Sequence, residues 1–139
     1  MTLVRRSLIV PAALVVALGL GGCSAAENAA KGAAEKAVSK IECEGLKLVS
    51  NKLPQADQLD EAAVRRIGEA AGALKDVVAK VPADKLPAGA KEKAEQALSD
   101  ATKASSDYKA NPEQAKAVAG GALDAIRSVL TSISSSLGC

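Results

Sequence analysis

Proline sets the first limit on what this chain can fold into. Pro54, Pro82 with Pro87, and Pro112 fall between stretches whose apolar residues recur every three or four positions. A helix interior rejects proline, which lacks an N–H and clashes with the preceding turn, so these points divide the chain. The stretch after Pro54 is the clearest. Val64, Ile67, Ala71, Leu74, Val78 and Val81 step by three or four and form one apolar stripe. Asp60 is placed to cap its start and Pro82 to end it. The next stretch repeats the spacing with Ala90, Ala94, Ala97, Ala101, Ala104 and Tyr108. Its seam is nearly all Ala, so its neighbours must approach closely. The last stretch opens with Asn111-Pro112-Glu113, a cap followed by proline at the first helical position. Ala115, Ala119, Ala122, Ile126, Val129, Ile133 and Leu137 carry its stripe, widened by Val118, Leu123 and Leu130.

The stretch before Pro54 has two characters. Residues 24–37 contain no large apolar side chain and read as an Ala-rich stalk. From Val38 onward, Ile41, Leu48, Val49 and Leu53 supply a packing face. Four short-linked helices with inward stripes predict an all-α fold: an up-down-up-down four-helix bundle over residues 38–139. Opposite charges at helical spacing lie off the stripes: Glu61 with Arg65, Asp76 with Lys80, Lys91 with Glu95, and Asp124 with Arg127. Such surface pairs contribute a few tenths of a kcal/mol each.

Composition narrows the chemistry. There is no His, Phe or Trp, Met1 is the only Met, and Tyr108 is the only aromatic residue. The chain therefore lacks the usual side chains for general acid–base catalysis near neutrality, haem ligation and most zinc sites. It also lacks the stacking platform that single-stranded nucleic acids require.

Residues 1–22 carry a basic start at Arg5 and Arg6 and an apolar run from Leu8 to Leu20 that ends in small residues. Such a run is too short to span a bilayer core of roughly 30 Å as a helix, and has the layout of an export signal. Both the general secretory and the twin-arginine routes accommodate it. The sequence Leu20-Gly21-Gly22-Cys23 that follows resembles the lipobox of bacterial lipoproteins. The resemblance covers the first 23 positions and implies cleavage between Gly22 and Cys23, with acyl chains carried by Cys23. It implies an extracytoplasmic protein anchored in the bacterial cell membrane, or in an outer membrane where the host has one. Two acyl chains give stable anchoring where one gives marginal binding. The expected organisation is thus a signal peptide at 1–22, a lipidated Cys23 and stalk at 23–37, and the bundle at 38–139.

Removal of the signal takes two arginines and no acid, which leaves 16 basic and 16 acidic side chains. A basic surface for nucleic acid is gone with them. Of the remaining residues 27 are Ala, which favours helix but buries little surface per residue.

With Cys23 lipidated, Cys43 and Cys139 remain. Export to an oxidising compartment makes an even pair a disulfide candidate. In an up-down-up-down bundle the end of helix four lies beside the start of helix one, where Cys43 sits. The closed loop of roughly 100 residues corresponds to about 4–5 kcal/mol in the chain-entropy account. The alternatives are an intermolecular bond through Cys139, or free thiols.

Other groupings give little chemistry. Glu42-Cys43-Glu44 has metal-ligand residue types, but neighbouring helical positions point apart and no His supports them, so no metal is expected. Asp57, Asp60 and Glu61 are explained by capping and the helix dipole. Gly68 with Gly72, and Gly120-Gly121, point to close helix contact or a slight kink rather than a phosphate loop. Tyr108 reads as a core plug. The sequence thus predicts a non-catalytic lipoprotein with no catalytic residue and no cofactor. Its expected role is an envelope interaction or structural module, tethered through Cys23 and meeting an envelope protein. The alternative is a carrier or sensor of an apolar ligand such as a lipid, seated between the wide stripe of helix four and the thin Ala seam of helix three.

Overall fold

A computed structural model describes residues 23–139, with the side chains of 23–31, 34, 35 and 38 left aside. The export signal and the residues Leu20, Gly21 and Gly22 of the lipobox lie outside the described residues. Four helices follow one another: α1 Cys23–Lys52, α2 Glu61–Lys80, α3 Ala90–Asp107 and α4 Pro112–Leu137. The fold is all-α, a four-helix bundle. Each helix packs on the next and α4 also meets α1 and α2; among the described residues α1 and α3 do not pack on one another.

The helix ends follow from local chemistry. The Asp60 carboxylate accepts from the Ala63 N–H at 2.6 Å and caps α2. Val81 closes α2 in extended backbone just before Pro82. Gly89 enters α3 at φ 74°, a left-handed conformation that glycine adopts without Cβ strain. The Asn111 side chain accepts from the Gln114 N–H at 3.3 Å and caps α4, with Pro112 at its first turn.

The core lies between α2, α3 and α4. Val64, Ile67, Ala71, Leu74 and Val78 of α2 are buried, as are Ala90, Ala94, Ala97, Ala101 and Ala104 of α3. On α4, Ala115, Ala119, Ala122, Leu123, Ile126, Val129, Leu130 and Ile133 are buried. The Ala seam brings α3 close to both partners, and α3 makes its tightest packing with α4. The bulk of the interior comes from Ile67, Leu74, Leu123, Ile126 and Ile133. Tyr108 is half-buried at the end of α3, and its hydroxyl donates to the Leu59 carbonyl at 3.4 Å.

Helix α1 departs from expectation in its rotation. Ile41 and Leu48, expected to pack, are exposed, while Leu46 and Val49 are buried and Leu53 half-buried. At 100° per residue, positions 42, 46, 49 and 53 share one face, and 41 and 48 lie well round from its centre. The side chain that this rotation brings inward beside Leu46 is Glu42. A Cβ on Gly45 would meet Val77 Cγ2 at 3.1 Å, so α1 and α2 come close together there. Gly68 and Gly72 make no such contact, since a Cβ at either meets nothing within 4 Å. Gly120 and Gly121 sit inside α4, which runs on as a helix through both.

Of the four expected charge pairs, Asp124–Arg127 is present at 4.0 Å; Glu61–Arg65, Asp76–Lys80 and Lys91–Glu95 do not form. Glu113–Lys116 forms instead at 3.1 Å. Ordering two long exposed side chains costs about as much as such a pair returns, so spacing alone does not bring them together. Arg127 has a further use: it donates to the Pro54 carbonyl at 3.2 Å and ties α4 to the α1–α2 loop.

The Ala seam makes a sharp prediction. Ala101→Leu forces a large side chain between α3 and its neighbours and should lower stability by about 1–3 kcal/mol. Thr102→Leu, one residue on and exposed, should stay within about 0.5 kcal/mol. Urea midpoints of the two variants check this.

Candidate functional site

The candidate residues occupy one helix and one end of the bundle. Position 23 is the first residue of α1, and Cys43 lies five to six turns further along the same helix. Cys139 is brought to Cys43 by the way α4 ends. Gly138 adopts φ 73°, and its N–H donates to the Ser135 carbonyl at 3.4 Å. The Cys139 N–H donates to the Ser134 carbonyl at 2.8 Å. These two bonds form a Schellman closure, which turns the last residue back over the helix and requires a left-handed residue at position 138. Cys43 and Cys139 are disulfide-bonded, with Cα atoms 5.7 Å apart and a sequence separation of 96. Beside them the Ser39 hydroxyl donates to the Leu137 carbonyl at 3.1 Å, a second tie between α1 and the last turn of α4.

An open groove of ≈480 Å3 runs between α1 and α4 along the disulfide, lined by Leu46, Lys47, Ser50, Leu130, Thr131 and Ser134 among others. It mixes a hydrocarbon floor with hydroxyl rims, and no Asp or Glu side chain is among its lining residues. A second open groove lies at the opposite end of the bundle, lined by Asp57, Leu59, Asp60, Tyr108 and Lys116. There the Asp60 carboxylate is already engaged as the α2 cap. Lys116 is held above its ordinary pKa by its hydrogen bond to Glu113 and by that carboxylate's charge, with Tyr108 acting in the same sense.

The structure separates Glu42, Cys43 and Glu44. Glu42 is buried, Cys43 is in the disulfide and Glu44 is exposed. Among the described residues no three His, Cys, Asp or Glu side chains gather to hold a metal ion. Glu42 is the feature that residue spacing did not disclose. Its side chain is on the core face of α1, only 5% exposed, and neither carboxylate oxygen has a hydrogen-bond partner. Its position four residues before Leu46 and seven before Val49 is the available signal, once the α1 face is known. No family model matches the chain, and neither do curated proteins or solved structures.

Two measurements follow from this end of the bundle. In oxidised protein, thiol alkylation followed by intact mass should find no free thiol at Cys43 or Cys139, and reduction should cost up to about 4–5 kcal/mol of stability. Two alkylated cysteines in unreduced protein would refute the bond. An unpartnered buried polar group costs about 1–3 kcal/mol, more when charged, so Glu42→Leu should raise stability by that order. Glu42→Gln keeps polar atoms buried and should gain less, and Glu44→Leu at an exposed site should change little. Denaturant midpoints at constant m-value rank the three.

Proposed function

We propose that this chain is a bacterial lipoprotein: exported, cleaved between Gly22 and Cys23, acylated on Cys23, and held at the outer face of a membrane as a non-catalytic envelope module. The observation that carries the proposal is the sequence Leu20-Gly21-Gly22-Cys23 directly after a basic start and a short apolar run. One feature of the fold is compatible with it. No helix among the described residues is long and apolar enough to cross a membrane.

The module acts, on this proposal, by presenting a surface to a protein or lipid partner. The bundle gives its apolar stripes to its own packing, and the groove beside the disulfide is open to solvent. A carrier of apolar ligands would need space between α3 and α4. Ala94, Ala97, Ala101 and Ala104 instead bury against the α4 stripe of Ala119, Leu123, Ile126 and Leu130. The disulfide fits the same location, since an exported domain meets an oxidising compartment.

Expression of the full chain in a bacterial host tests the tether. The wild-type protein should fractionate with membranes and show a mass increment of acyl groups on Cys23. Cys23→Ala should abolish that increment and the release of a mature chain beginning at residue 23. An unmodified Cys23 in protein recovered from its own host would overturn the proposal.

A further inference from the structure

Ile41 and Leu48 are the large apolar side chains that the bundle leaves in solvent, 68% and 63% exposed. They lie seven residues apart on α1, two turns along one face. At 100° per residue the same face passes through position 23, because Ile41 stands about five turns beyond it. Of the positions between them on that face, 30, 34 and 37 are Ala and 27 is Glu. About a quarter to a third of a turn further round, away from the core, lie the exposed Lys40, Lys47 and Lys36, with the exposed carboxylate Glu44 between them and the apolar strip.

We propose that this face of α1 is a membrane-contacting surface. The helix lies along an anionic phospholipid bilayer, with Ile41 and Leu48 in the interface and Lys36, Lys40 and Lys47 among the phosphates. An apolar strip with lysines further round its flank is a pattern of interfacial helices, whose long side chains reach back to the phosphates. Each lysine near an anionic surface adds attraction that two apolar side chains alone lack. The inference rests on the Cys23 tether proposed above, which would fix the first residue of the same helix at the same bilayer. With that end held, the contact at Ile41 and Leu48 becomes intramolecular, and a weak surface suffices. The competing posture is an upright α1, which would hold Leu48 roughly 37 Å from position 23 at 1.5 Å per residue.

The chain has no Trp, so a single introduced indole reports only its own surroundings. Leu48→Trp and Ile41→Trp place it on the proposed face. Gln96→Trp, exposed on α3, which among the described residues does not pack on α1, is the control. The full chain, expressed with its own first 22 residues, is reconstituted into vesicles of roughly two parts phosphatidylcholine to one part phosphatidylglycerol, with and without brominated acyl chains. Both α1 probes should shift to the blue and be quenched by brominated lipid several-fold more than the control. Adding Lys40→Glu and Lys47→Glu to the Leu48→Trp chain should reduce that quenching. Quenching no greater than at position 96 overturns the inference. A blue shift that grows with protein density but escapes bromine quenching also overturns it, in favour of a second copy covering the face. The intact mass of the same sample reads the tether separately. An unmodified Cys23 sinks the lipoprotein proposal, whereas an acylated Cys23 with unquenched α1 probes sinks the membrane-contacting face alone.

Discussion

The Ala seam of α3 governs the geometry of this bundle. Ala94, Ala97, Ala101 and Ala104 are buried with no reach of their own, so α3 settles close against α2 and α4. Each Ala contributes little transfer free energy, because so little surface leaves water. What the seam contributes is proximity. It lets Ile67 and Leu74 of α2 meet the α4 side across the centre, where Leu123, Ile126 and Ile133 fill the volume that α3 does not. Large side chains on two helices thus pack around small ones on the third, and the interior needs no aromatic ring.

Helix α1 inherits what remains. It adds Leu46 and Val49 to the core, leaves Ile41 and Leu48 outside, and brings Glu42 in without a partner. At Gly45 its backbone lies close against the Val77 side chain of α2. A helix with so little apolar burial is the one most dependent on other ties. The Cys43–Cys139 bond and the Ser39–Leu137 hydrogen bond join it to the last turn of α4. Gly138 makes both possible by ending α4 in a left-handed turn. The cross-link also accounts for the rotation of α1. Turning Cys43 toward α4 places position 42 on the core side and swings 41 and 48 outward.

That rotation marks the limit of what the sequence could tell. Helices α2, α3 and α4 were legible because proline breaks, capping residues and a single stripe agree on one answer in each. In α1 the large apolar residues at 41, 46, 48, 49 and 53 spread over more than one face. Choosing among faces takes a tertiary constraint, here a disulfide and a glycine contact, which periodicity does not contain. The same limit explains the glycines. Gly68 and Gly72 have the spacing of a close helix contact, yet the contact falls at Gly45, which stands alone in its helix segment. Pairing of Cys43 with Cys139 was legible from cysteine count and bundle topology together. The burial of Glu42 was not, because a carboxylate is assigned to the surface until the face beneath it is known.

A bundle of this kind separates two tasks that larger proteins often combine. Folding uses the stripes of α2, α3 and α4, and leaves α1 free to carry whatever the surface must do. Position 23 is the proposed anchor, and Ile41 and Leu48 lie on its solvent face. If anchoring is through Cys23, the protein searches two dimensions rather than three, and effective concentration at the bilayer rises without new contacts. Under that confinement the strip of two apolar side chains, with lysines further round its flank, would be enough to set orientation. On the proposed export route a larger apolar patch would be a liability, because the chain would have to stay soluble before it is tethered. The sparse outer face of α1 would then be the size that such a tether makes sufficient.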